Sequence, residues 1–152
     1  MTVTEQPPAG VGAAYHEIQQ FYARQMQLLD DGRVDEWAAT FAPQGVFAAN
    51  AHPEPTKGRE AIAAAAGAAH GQLAAAGIRR RHWLGMVAVD GQDGQDGQDG
   101  TKARARCYAL VFEIPRGGQA ALRLSTLCED ELERGPQGWL VTHRAVTRDD
   151  LV

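Results

Sequence analysis

The chain has 152 residues, 15 of them basic and 19 acidic, for a net charge of −4, with 44% hydrophobic and 22% charged residues. That length suits one ordinary domain, able to bury about two thirds of its unfolded surface. The balance excludes a disordered chain and a basic footprint for nucleic acid. No apolar run approaches the ~20 residues of a bilayer span, and residues 1–10 lack a signal-peptide pattern, so a cytoplasmic protein is expected.

Residues 1–12 read as a disordered lead. From Ala13 the pattern turns helical, with Tyr15, Ile18, Phe21, Tyr22, Met26 and Leu29 along one stripe. Asp30-Asp31-Gly32 ends that helix, Gly32 suiting a left-handed terminal residue. A short helix is predicted over 34–41, carrying Trp37 and Phe41 on its inner side. A turn at 42–45 and a short strand at 46–49 follow, then a proline-bearing loop. The alanine-rich stretch 59–76 predicts a third helix, stopped by Gly77.

After Gly77 the period becomes two. Strands are predicted over 82–89, 103–114, 121–130 and 139–147, the last three separated by glycine-bearing hairpin connections. Tyr108, Leu110, Phe112 and Ile114 share one face of the second, and Cys107 and Cys128 read as buried free thiols. Residues 90–100 repeat Asp-Gly-Gln; the spacing lacks both the closing glutamate of a calcium loop and the nine-residue period of a β-helix, so a flexible hairpin loop is expected. Helices followed by antiparallel strands give an α+β class, with one curved sheet wrapped around about three helices and enclosing a pocket. Exposed apolar strand faces lead to the expectation of a homodimer. The arginines at 79–81, 104 and 106, in an acidic chain, mark a strand end or an anionic ligand sooner than a DNA face.

From Leu28-Leu29-Asp30-Asp31-Gly32 through Trp37, Phe41-Ala42-Pro43 and Val46-Phe47, the chain resembles the NTF2-like superfamily, a cone-shaped α+β fold. The same stretch is similar to the small subunits of aromatic-ring-hydroxylating dioxygenases. Gly58-Arg59-Glu60-Ala61-Ile62 resembles the start of the family's third helix, and Gly138-Trp139-Leu140-Val141 with Arg144 its closing strand. Arg81-His82-Trp83-Leu84-Gly85 looks like the strand that carries the pocket histidine in scytalone-dehydratase-like members. The narrower likeness is to SnoaL-like proteins of aromatic polyketide pathways, in particular those acting around pyran-ring formation in antibiotic biosynthesis. It implies a cofactor-independent cyclase or dehydratase working by proton transfer on an aromatic polyketide intermediate. The dioxygenase likeness implies the alternative, a non-catalytic small subunit or binding module.

Histidine as a residue type can take or give a proton near neutral pH, which makes His82 a candidate general acid or base. By the two-residue period it would share a face with Leu84 and Met86. A core histidine satisfied by one hydrogen bond is the other reading of it. The resemblance makes Asp30 its partner, whereas the residues alone also allow Asp30 to cap the next helix. Dehydratase-like members place a tyrosine where Gln25 stands, which leaves cyclase, isomerase and binding roles open; Tyr22, one turn earlier, is expected to reach the same cavity as a substrate-binding residue. Trp37 and Trp83 suit a flat substrate, and Trp139 reads as structural. Arg81 adjoins the histidine and is expected to bind substrate. Tyr108, Arg123, Ser125 and His143 lie on strands that line the cone if their faces turn inward, which alternation does not decide. The five histidines show no ligand spacing, so no metal is expected; no phosphate loop or other cofactor motif occurs either.

Overall fold

The first helix forms because its apolar residues recur on one side of a 3.6-residue period. In the computed structural model, which describes residues 9–90 and 101–152, α1 spans Ala9–Asp30. It buries Ala14, Ile18, Tyr22, Gln25 and Met26 along that stripe. The start at Ala9 precedes the expected Ala13. Most of the expected lead and the Asp-Gly-Gln repeat lie outside the described residues.

Gly32, at φ 78°, turns the chain out of α1 in the left-handed region. A Cβ there would also collide with the His70 ring. Replacing Gly32 with alanine should therefore cost about 1–2 kcal/mol, read as a lowered urea midpoint.

The second helix, α2 (Val34–Ala38), is shorter than predicted. Phe41 leaves it to open β1 (Phe41–Ala49), which absorbs the expected turn at 42–45 and the predicted strand at 46–49. The reason is pairing. Phe41 aligns with Val141 on the last strand, and the extra residues before Val46 are taken up as a break in register. β2 (Thr56–Lys57) precedes α3 (Arg59–Ala75). The long strands β3 (Ile78–Asp90), β4 (Lys102–Pro115), β5 (Ala121–Gly135) and β6 (Gly138–Arg148) follow, closed by a short 3-10 turn at Asp149–Leu151. β3 begins four residues before its predicted start and β5 ends five after its predicted end, whereas β4 and β6 extend by one at each end, because ladder pairing carries the strands to their turns.

The sheet order is β2-β1-β6-β5-β4-β3. All pairs are antiparallel except β1 with β6, which is parallel. Every long pair contains a register shift: Phe41/Val46, Gly85/Ala88, Val111/Phe112 and Glu131/Leu132. Such bulges bend strands and raise their twist, which curls this sheet around the helices. Met86 sits in one of them at φ 54°, and its side chain is 77% exposed. The bulge thus turns Met86 outward and breaks the expected His82–Leu84–Met86 face after Leu84; Val87 packs on the core instead.

Small residues on the inner side of β4 (Ala103, Ala105, Cys107) let the helices approach the narrow end of the cone. There Ile18, Phe41, Leu132, Trp139 and Val141 are buried in one core cluster. Trp139 is structural, as expected: its indole N–H donates to Glu17 at 2.9 Å and Arg134 stacks on its ring. The wide end is left unfilled.

Candidate active site

That unfilled end is a cavity of about 740 Å³, lined by α1, α2, α3 and the inner sheet face. The size lies within the range of ordinary small-molecule sites. Its walls are largely apolar, from Met26, Leu29, Trp37, Phe47, Ile62 and Leu84. Trp37 and Phe47 form an aromatic corner, their centroids 6.5 Å apart.

On one wall stands His82. Its Nδ1 lies 2.6 Å from Asp30 Oδ1, and its backbone N–H donates to Asp30 Oδ2 at 3.0 Å. A carboxylate only accepts, so Nδ1 carries a proton, and in the neutral ring Nε2 is the nitrogen with the free lone pair. The Asp30 side chain is 6% exposed and that of His82 18%, so the pair is sheltered yet reachable. Two contacts to one carboxylate fix both the ring and the strand beneath it. Of the two readings of Asp30, capping is not the one realised: the residue before α2 is Arg33, with no side-chain cap.

At the cavity floor lies a second polar group, which reaches the lining through Arg144. Arg144 donates through Nε and Nη2 to the two oxygens of Asp130, at 2.9 and 2.8 Å. Tyr22 donates to Asp130 Oδ2 at 2.6 Å. Gln25 accepts from Arg144 at 2.7 Å and donates to Thr40 at 2.7 Å. Burial works against the Arg144 charge, but Asp130 holds its pKa well above the ordinary value. Burial, followed by the charge on Asp130, raises Tyr22 likewise, so it remains a phenol. The Cys128 thiol is pushed up by its hydrogen bond with Cys107 and by burial, which removes it as a thiolate nucleophile.

These positions correct several expectations. Tyr22 is buried beneath the cavity on Asp130 and does not line it. Gln25 occupies the tyrosine position because Arg144 and Thr40 require a group that both accepts and donates. Arg81, Trp83, Tyr108, Arg123, Ser125 and His143 do not line the cavity. Alternation about the inward Leu84, Ala109 and Thr126 puts Trp83, Tyr108 and Ser125 on the outer face, Trp83 at 68% and Tyr108 at 55% exposure. Arg123 reaches Glu113 at 3.7 Å and Ser125 donates to Asp149 at 2.6 Å. His143 falls outward because the bulge at Glu131/Leu132 resets β6, bringing Arg144 inward beside Val141. Of the named candidates, the cavity unites His82, Asp30 and Trp37.

Sequence reading did not place Asp31, His52, His70 or Arg148 in the site, and all four line the cavity; Arg79 and Arg80, read as marking a strand end or an anionic ligand, are among its lining residues too. It also missed the Asp130–Arg144 pair. Asp130 had a signal, since it stands in the inward phase of Cys128 and Leu132; Arg144 was marked only by its place in the family-like closing strand, because the bulge breaks its phase.

Among the described residues no cluster of His, Cys, Asp and Glu could hold a metal, and no helix is long and apolar enough to cross a membrane. Fold and site together define a cone with a small-molecule cavity and a His–Asp pair on its wall. The profile of the SnoaL-like domain matches residues 12–145. The chain belongs to that family, and its fold is the NTF2-like cone.

Among solved structures it is similar to a Catenulispora acidiphila protein in complex with S-DNPA, at 34% identity and TM-score 0.78, covering 92% of this chain and 96% of that one. It is also similar to Aln2 from a Streptomyces species, at 30% identity and TM-score 0.81, over 97% and 96% of the two chains. ActVI-ORFA from Streptomyces coelicolor is 31% identical, with TM-score 0.78 over 91% and 96%. No curated protein matches the chain.

Proposed function

We propose that the protein is a cofactor-independent cyclase or dehydratase that moves protons on an aromatic polyketide intermediate within this cavity. The observation that carries the reading is the His82–Asp30 pair on the wall of a largely apolar cavity of about 740 Å³. His82 Nε2 takes a proton from a hydroxyl or an activated carbon, and the imidazolium then returns it to the leaving or receiving atom. Asp30 holds the ring in one tautomer and stabilises the cation that forms. Trp37 and Phe47 supply flat walls for a planar substrate. The family's polyketide-pathway members, and a relative in complex with S-DNPA, support this substrate class. Turnover of a His82→Gln variant on a candidate intermediate is the test, and unchanged kcat in the folded variant would sink the assignment.

The outer face favours association. Trp83, Met86, Tyr108 and Leu122 are each at least 55% exposed, on the adjoining strands β3, β4 and β5. We assign this face to a homodimer, on which Trp83→Glu should halve the mass in light scattering while leaving the cavity intact. A stable complex with a large iron-containing subunit would instead mark the non-catalytic reading.

A further inference from the structure

We propose that Cys107 and Cys128 form a redox-active pair at the floor of the cavity, a modification site where hydrogen peroxide closes a reversible disulfide. This inference goes beyond the proposed reaction, which uses neither thiol, and does not depend on it.

Register sets the pair. Cys107 of β4 stands directly opposite Cys128 of β5, and the pairing around them runs unbroken from Lys102 opposite Glu133 to Val111 opposite Leu124. Directly opposed residues of an antiparallel ladder share a face, with Cα atoms about 4.5–5.5 Å apart. A disulfide spans about 4.4–6.8 Å between Cα atoms, so the backbone already has the spacing that the bond needs. Both residues are buried free thiols, and the two are hydrogen-bonded to each other.

Their surroundings give them different roles. Cys128 lines the cavity, whereas Cys107 lies beside it in the core cluster with Ala103 and Ala105. The hydrogen bond from Cys128 lowers the Cys107 thiol against the opposing effect of burial, so Cys107 is the sulfur that ionises. Hydrogen peroxide is close to water in size and meets the pair from the cavity side, at Cys128.

The Cys107 thiolate attacks one peroxide oxygen and the O–O bond breaks. Cys107 becomes a sulfenic acid, and the other oxygen leaves as water with the proton that Cys107 gave up. The Cys128 sulfur then attacks the Cys107 sulfur and the S–OH bond breaks; the Cys128 proton joins the departing hydroxide as a second water. The paired sulfurs lose two electrons and the peroxide gains them. A thiol next door thus intercepts the sulfenic acid before it reaches sulfinic acid, which thiols do not reverse. Bridge closure also takes the Cys128 S–H from Asp130 Oδ1, 3.5 Å away. The state of the pair therefore reaches the carboxylate that holds Arg144 in the cavity floor.

The test treats the full protein with millimolar hydrogen peroxide, blocks the remaining thiols with iodoacetamide in urea and maps the peptides by mass spectrometry. The parent protein should lose both free thiols to a Cys107–Cys128 link within one chain, and dithiothreitol should restore both. In Cys128→Ser, Cys107 should pass on to sulfinic acid, beyond rescue by dithiothreitol. In Cys107→Ser, Cys128 should stay reduced at the same dose. Two free thiols in the treated parent, a link between chains or a sulfinic acid in place of the internal link, or a Cys107→Ser variant oxidised as fast as the parent would each overturn the proposal. The parent measurement decides alone if either variant fails to fold.

Discussion

Replacing His82 with glutamine is expected to lower kcat by about two to four orders of magnitude, the usual contribution of a positioned general acid/base. The amide can still donate to Asp30, and the backbone N–H of residue 82 keeps its bond to Asp30 Oδ2. What it loses is a nitrogen that takes and returns a proton near neutral pH. The site is partly solvated, with 18% of the His82 side chain exposed, so the thermal midpoint should hardly move. KM should change little, because the apolar walls that bind the ring remain, and the loss should fall on kcat. Asp30→Asn should be intermediate: it keeps the volume and weakens the orientation and charge behind the ring. Steady-state kinetics on both variants, alongside their melting curves, would separate a chemical role from a structural one.

The largest stability effect is expected at Asp130. Asparagine there would leave the Arg144 guanidinium, whose side chain is 4% exposed, without its counter-charge. Breaking one side of a buried pair costs about 3–5 kcal/mol. For a domain of this size that corresponds to a fall in Tm of roughly 6–20 °C. The cost exceeds that of a surface pair because Tyr22 and Gln25 bond the same two residues and would be left to find new partners. Replacing both partners together, Asp130→Leu with Arg144→Met, should recover much of the loss, since no bare charge remains. Urea titrations of the singles and the double form the cycle. A single-variant cost below about 1 kcal/mol would show that water reaches the pair.

Much of the fold was legible because periodicity reports local structure directly. The stripe from Ile18 through Tyr22 to Met26 required a helix with one buried face, and the alternation through β4 and β5 required strands. Glycines at 32, 77, 117 and 138 marked turns, and each adopts positive φ. Element ends were less legible. Phe41 carries a helical spacing from Trp37, but its pairing with Val141, distant in the chain, made it a strand residue.

The site divides along the same line. His82 and Asp30 were visible as residue types at family-like positions, yet 52 residues separate them, and only the packing of the end of α1 against β3 brings Nδ1 to the carboxylate. Alternation sorts a strand's side chains into two sets without saying which set faces the helices. That choice is made by the sheet's direction of curl, and it placed Tyr108, Arg123 and Ser125 outside while bringing Thr126 and Cys128 in. Bulges reset the phase further, as with Met86 and Arg144. Local sequence thus determined which elements form and roughly where they turn. The facing of each strand, the His–Asp contact and the buried Asp130–Arg144 pair were decided by tertiary structure, because each depends on contacts between segments far apart in the chain.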